Sequence, residues 1–333
     1  MGSRLARAAL ALVVLGAAWS ASLGGTLSAY TGSTSSASYE FTAAPDWVAP
    51  TADIAAIGRT TAYDTGSIKQ GASYYVYSEV GDTGNPASGT ASVATNVNSI
   101  TSGHTAVALT AGTYNAGGAT YNYRSTAQTA ATTIAAGSYS YTITSTDNAG
   151  NAGTQSFTTI VDNTAPSAVD VQSTNSGTGT VGHLDQGDTL TLTYSGTIDP
   201  YSVLGGWTGA ATTGVLVKLV DGGISNDTLA VYTNAATPVL LPLGTINLSS
   251  KNYLTTGSGS SVTYGASGAA TPSTMTRNGA SITLVLGSAS GASSTNATAA
   301  AMTWTPSASA TDIAGNAATT TTVTQSGAVH VNF

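Results

Sequence analysis

Two short patterns occur twice in this chain, and their order constrains the fold more than any other feature. Asp46-Trp47-Val48-Ala49-Pro50-Thr51 returns as Asp162-Asn163-Thr164-Ala165-Pro166-Ser167. Thr146-Asp147-Asn148-Ala149-Gly150-Asn151-Ala152 returns as Thr311-Asp312-Ile313-Ala314-Gly315-Asn316-Ala317. Each opening pattern is followed by a closing one. Residues 46–162 and 163–333 therefore read as two consecutive units, the second lengthened by insertions. Proline in an opening segment removes a ladder donor and stiffens the chain, as the edge of a first strand requires.

Both closing patterns read as hairpin loops. Tyr139, Tyr141 and Ile143 alternate with Ser140 and Thr142 before the first, and Phe157, Thr159 and Val161 follow it. A period of two means one buried face and one wet face. Asp147 is suited to accept backbone N–H groups in its own turn, and Gly150 to take positive φ. Met302 and Trp304 precede the second loop on one face. Further strands are expected at Tyr74–Val80, Ala91–Val97, Thr105–Leu109 and Thr120–Arg124. In the second unit they are expected at Leu190–Tyr194, Gly214–Val220, Asp227–Tyr232, Ile246–Leu248 and Ile282–Leu286. No segment carries a sustained helical period with caps. The expectation is an all-β chain of two antiparallel β-sandwich domains in series.

Composition agrees with that class. Only 7 % of the 333 residues are charged, against roughly 25 % in an average soluble domain. Thr suits pleated strand surfaces, and Ser and Gly suit turns. The net charge is −7. An acidic chain with no basic stripe is not expected to bind nucleic acid or anionic lipid. With no cysteine, neither a disulfide scaffold nor a thiolate metal site can form.

Arg4 and Arg7 followed by the apolar run Ala8–Ala18 read as a signal peptide over residues 1–29, with 30–45 as a linker. Once the leader is cleaved, no membrane insertion is expected. Gly24-Gly25-Thr26-Leu27-Ser28-Ala29-Tyr30, with Tyr39-Glu40-Phe41-Thr42-Ala43 after it, resembles the leaders of camelysin-type matrix proteins. That resemblance implies export from a Gram-positive type of cell and leaves the fold of the mature part open.

The Thr-Asp-x-Ala-Gly-Asn and Asp-Asn-Thr-Ala-Pro patterns resemble bacterial immunoglobulin-like repeat domains. The segment from Gly187 through Pro200, with its Gly-Asp-Thr start and Ile-Asp-Pro turn, resembles the opening strand of another bacterial immunoglobulin-like class. The resemblance implies two tandem immunoglobulin-like domains and a role as a stalk, spacer or adhesive module at the cell surface. Other surface proteins or glycans would then be partners, and self-association into a fibre-forming matrix subunit is the alternative. A glycan-binding module is the third reading.

Catalytic chemistry finds little footing. His104, His183 and His330 are the only imidazole bases, and none lies near a nucleophile elbow. Both glutamates, Glu40 and Glu79, stand apart, so no carboxylate pair for glycoside hydrolysis is legible. The expectation is no enzyme, no catalytic residue and no organic cofactor. Calcium is the ligand the residues suit best, because it takes oxygen donors from carboxylates, carbonyls and amides. Asp147, Asn148 and Asn151 share one loop, and Asp162 with Asn163 lies at the unit boundary. The competing reading is that each aspartate caps its own turn. Asp185, Asp188 and Asp199 form a looser acidic set.

Trp304 is expected in a core, whereas Trp207, in a glycine-rich turn, and the tyrosines Tyr74, Tyr75, Tyr77, Tyr121 and Tyr123 are candidates for exposed stacking surfaces. Thr255–Ser273 and Gly287–Ala300 read as long polar loops. Val329–Phe333 reads as a last strand, with no wall-sorting signal after it.

Overall fold

The computed structural model describes residues 46–177 and 179–333. The leader and linker expected before Asp46 lie outside the described residues.

Strands carry almost all the regular structure. In the first part of the chain they are β1 (Thr51–Arg59), β2 (Ser67–Ile68), β3 (Ser73–Gly81), β4 (Thr90–Asn96), β5 (Val107–Ala116), β6 (Ala119–Ser125), β7 (Gln128–Thr129), β8 (Gly137–Asp147) and β9 (Ala152–Val161). In the second they are β10 (Ala168–Thr174), β11 (Thr189–Tyr194), β12 (Thr212–Val220), β13 (Thr228–Thr233), β14 (Thr245–Asn247), β15 (Ser261–Tyr264), β16 (Ser273–Asn278), β17 (Ser281–Val285), β18 (Thr303–Thr305) and β19 (Val323–Thr324). One helical turn, α1 (Pro200–Val203), interrupts them. Asp199 caps it by accepting the Tyr201 N–H, and proline opens it where a missing donor does no harm.

Each part forms its own hydrogen-bonded path. The first runs β1-β3-β6-β5-β4-β8-β9-β2, with β7 beside β3. The second runs β10-β11-β17-β16-β12-β13-β14-β18-β19, with β15 beside β12. Pairing is antiparallel throughout except for the short β2–β9 ladder. Instead of lying as two flat separate sheets, each path curls so that its ends approach. The Ala52 N–H on β1 donates to Gln155 Oε1 on β9 at 3.1 Å. Just past β19, the Ser326 N–H donates to Asp170 on β10 at 2.9 Å. The right-handed twist of strands accumulates into this curl, and local slips add to it. One slip falls between Ala52 and Ile54, the other between Ala168 and Asp170. Both begin two residues after the opening proline.

The alternation in sequence becomes two separate cores. Ile57, Tyr74, Val76, Val93, Tyr141 and Ile143 fill the first. Leu190, Leu192, Tyr194, Val217, Leu229, Leu284 and Trp304 are central to the second. Tyr194 meets Trp304 edge to face at 4.8 Å, and the Trp304 indole N–H is satisfied by the Leu243 carbonyl at 2.7 Å. Each fully buried large side chain contributes about 1.5–3 kcal/mol from removal of apolar surface.

Four expectations are corrected. The stretch Thr255–Ser273 is not simply a loop, because Ser261–Tyr264 pairs with β12 through Val262 and Tyr264, which face the core. The segment Val329–Phe333 is not a strand, although the Tyr253 hydroxyl donates to the Asn332 carbonyl and holds its end in place. Trp207 is buried, its indole N–H donating to the Ala210 carbonyl. Tyr74, Tyr77 and Tyr121 are buried as well, because both faces of β3 find cover and the Tyr121 ring packs 5.5 Å from that of Tyr77. Among the described residues no helix is long and apolar enough to cross a membrane.

Candidate functional site

The repeated patterns prove to be two halves of one contact. In the loop between β8 and β9, Asp147 Oδ1 accepts the Asn151 N–H at 2.8 Å. Asn151 Nδ2 then donates to Asp147 Oδ2 at 2.7 Å and to the Asp46 carbonyl at 2.8 Å. In the second loop Asp312 Oδ1 accepts the Asn316 N–H at 2.8 Å. Asn316 Nδ2 donates to Asp312 Oδ2 and to the Asp162 carbonyl, both at 2.9 Å. The asparagine of each closing motif thus holds the aspartate carbonyl of the opening motif that precedes it. The contact spans 105 residues in one case and 154 in the other.

Around the first clasp gathers an acidic end. One carboxylate oxygen from each of Asp46, Asp82 and Asp147 lies within 4.8 Å of the others. Asp46 accepts the N–H groups of Val48 and Ser88, each at 2.9 Å. Asp82 accepts those of Gly84 and Gly89 at 3.3 and 2.6 Å. The backbone N–H groups of Val48 and Ser88 hold the Asp46 carboxyl below its ordinary value. For Asp147, burial pushes upward, but the Asn151 amide and surrounding N–H groups outweigh it and the net direction is down. Three ionised carboxylates this close repel one another. Each oxygen retains a lone pair beyond its N–H bond, so the set is chemically suited to a hard divalent cation such as calcium.

The second clasp is a joint. Arg59, at the end of β1, donates from Nη2 to Asp199 at 2.8 Å and from Nε to the Ile313 carbonyl at 2.9 Å. The other Asp199 oxygen accepts the Tyr63 N–H at 3.1 Å. Arg277 pairs with Asp64, and the Lys69 N–H donates to the Ala314 carbonyl at 3.1 Å. A cavity of about 240 Å³ remains beside these contacts, lined by Asp162, Asp312, Ser67 and Thr197 among others. Burial raises the carboxyl of Asp312 against the pull of Asn316, and that of Asp199 against the pull of Tyr63 and Arg59.

Gly315 shows the difference between the two ends. It sits at φ +97°, and a Cβ there would lie 2.9 Å from Arg59 Cδ. Its counterpart Gly150, at φ +94°, faces open space.

The expected ligand set therefore divides. Asp147 and Asn151 come together, joined by Asp46 and Asp82, which were not anticipated as ligands. Asn148 turns its amide to the Ser88 and Gly89 carbonyls. Asp162 and Asn163 stand at the joint, far along the chain from the acidic end. Asp162 accepts the Thr164 N–H within its own turn, and Asn163 bridges the Gln70 N–H and the Ile134 carbonyl. Asp185 and Asp188 share one loop, where the Asp185 N–H donates to Asp188, whereas Asp199 belongs to the joint. No residue pattern pointed to Asp82, but a third repeat begins just after it: Thr83-Gly84-Asn85-Pro86-Ala87-Ser88 parallels Thr197-Ile198-Asp199-Pro200-Tyr201-Ser202, with Asn85 in the place of Asp199. The serine of each copy turns its hydroxyl to the closing loop, taking the Ala149 N–H in one and the Thr311 N–H in the other.

His183 lies 2.8 Å from Asp185 through Nδ1 and 3.0 Å from Ser293 Oγ through Nε2, the connectivity of a hydrolytic triad. Nε2 also faces the Ser293 carbonyl at 3.1 Å, an acceptor only. With Nδ1–H donated to the Asp185 carboxylate, neutral His183 leaves Nε2 to accept the Ser293 hydroxyl, and the three side chains tie two loops together. His104 bonds Gln128, and His330 bonds the Ala328 carbonyl.

Comparison of the chain with protein-family models, with curated proteins and with solved structures finds no match.

Proposed function

We propose that the chain is a non-catalytic structural or adhesive module exported to the cell surface. In this reading two immunoglobulin-like units, divided near Asp162, are held in series as a stiff spacer. The observation that supports it is the joint. Two ion pairs, Arg59–Asp199 and Arg277–Asp64, flank backbone bonds from Lys69 and to Asp162. A hinge meant to swing would carry fewer such contacts. The reading is tested by small-angle scattering and limited proteolysis of the purified chain. One rigid particle resistant to cleavage around Asp162 is expected, and R59A/R277A loosens it. Free rotation of the units in the unsubstituted protein would defeat the spacer role. Cell fractionation with N-terminal sequencing tests export, and a fluorophosphonate probe that labelled Ser293 would restore catalysis.

A fibre-forming subunit is the second reading, favoured by one observation. Trp47 is 77 % exposed beside the undocked acidic end, next to the half-exposed Val48. An apolar side chain at such an end is suited to packing against a neighbour. Electron microscopy showing only monomers at high concentration removes this reading.

A further inference from the structure

A second cavity, of about 260 Å³, opens where the β5–β6 hairpin of the first unit leans over α1 of the second. Its wall is made by Tyr63, Tyr201, Asn115 and the small residues Ala62, Ala116 and Gly118. The two tyrosine rings sit 5.4 Å apart and tilted, so one ring braces the other. Tyr201 keeps 41 % of its surface exposed. The hairpin is tied down by the Gly117 N–H, which donates to the Tyr63 carbonyl at 2.9 Å. The cavity is therefore formed before any ligand arrives.

Its chemistry is selective. No charged side chain lines it. Asn115 Oδ1 accepts the Thr120 hydroxyl at 2.8 Å, and the Asn115 amide N–H groups have no partner among the described residues. The tyrosine hydroxyls add donor and acceptor capacity beside the aromatic faces. Gly118 allows the approach, since a Cβ there would stand 3.2 Å from the Tyr63 hydroxyl. An exposed aromatic face with a planar amide and hydroxyls at its rim suits a flat ligand that is apolar on its C–H face and hydroxylated at its edge. The volume is at the small end for ligand sites and matches a single sugar ring better than a larger molecule.

We propose that this cavity is a binding site for one neutral hexopyranose ring of a surface polysaccharide, stacked on Tyr201 and hydrogen-bonded by Asn115. The inference rests on the adhesive reading and gives it a ligand class. It also gives the joint a second role, because Tyr63 and Tyr201 come from different units and the site exists only while they are held together.

The test uses the full purified chain with cellotriose, chitotriose and mannotriose, and with a sulfated trisaccharide as the charged comparison. Saturation-transfer difference NMR reads which protons touch the protein, and titration gives the affinity. At least one neutral trisaccharide is expected to bind weakly, in the millimolar range. The sulfated one should bind no better. Tyr201→Ala is expected to weaken binding about tenfold or more, and Asn115→Ala severalfold. Tyr201→Phe keeps the ring and retains most of the affinity. Asn115 is exposed on a hairpin, so its variant reports on the site even if Tyr201→Ala loosens the joint. Absence of binding by all three neutral sugars, or binding that neither alanine variant changes, overturns the site. Either result leaves the export and spacer tests standing, since those read location and rigidity.

Discussion

Arg59 and Asp199, 140 residues apart, meet at 2.8 Å with the Asp199 side chain almost wholly buried. One residue ends β1 and the other caps α1. The pair therefore ties the backbone of one unit to a cap in the other.

Removing one member leaves the other charge buried without its partner. Arg59→Ala is expected to destabilise the joined chain by about 2–3 kcal/mol, less than a fully buried pair because the guanidinium is partly wet. Denaturant unfolding followed at Trp304 measures it. In a double-mutant cycle with Asp199→Ala, a coupling energy near zero would mean the pair is incidental.

The two clasps should behave alike but not equally. Asn151→Ala and Asn316→Ala each delete an amide that spans two acceptors. Each is expected to cost about 1–3 kcal/mol. The larger loss should fall on Asn316, which is buried, whereas Asn151 is only half-buried. Melting curves of the two variants compare them directly, and the opposite order would show that the joint does not reinforce its clasp.

Acid should act on the two ends with opposite signs. Asp46 and Asp147 are held below 3.8 in the folded chain. They contribute stability that is complete above that value and is lost as the pH falls through their lower native values. The penalty of Asp46→Asn is thus present at neutral pH and disappears on strong acidification. For Asp199 and Asp312 at the joint, burial raises the carboxyl, so mild acidification toward their native values favours the folded state. Melting temperature against pH for Asp46→Asn and Asp312→Asn reads both signs.

A divalent cation should act at the acidic end rather than at the joint. Calcium added to metal-free protein at tenfold excess over its dissociation constant is expected to stabilise by about 1.4 kcal/mol. Asp82→Asn should abolish the rise in melting temperature, and Asp162→Asn should leave it. A rise that survives Asp82→Asn places the ion elsewhere.

The all-β character and many of the strands were legible because alternation and turn residues act locally. Tyr139, Tyr141 and Ile143 announce their face whatever the rest of the chain does. Pro50 and Pro166 mark first strands for the same reason. Ser261–Tyr264 was hidden among polar residues, because only Val262 and Tyr264 carry its signal. Tyr201 was indistinguishable from any turn residue, and nothing in the sequence set it beside Tyr63. The sequence by itself determined an all-β chain with paired opening and closing motifs, since period and turn chemistry are properties of neighbouring residues. Only the tertiary structure decided that each closing asparagine grips its opening aspartate, that Asp82 joins Asp46 and Asp147, and that Arg59 finds Asp199. Those contacts join residues 36 to 154 positions apart. Their distances are set by how the twisted strands curl and stack, which no local pattern encodes.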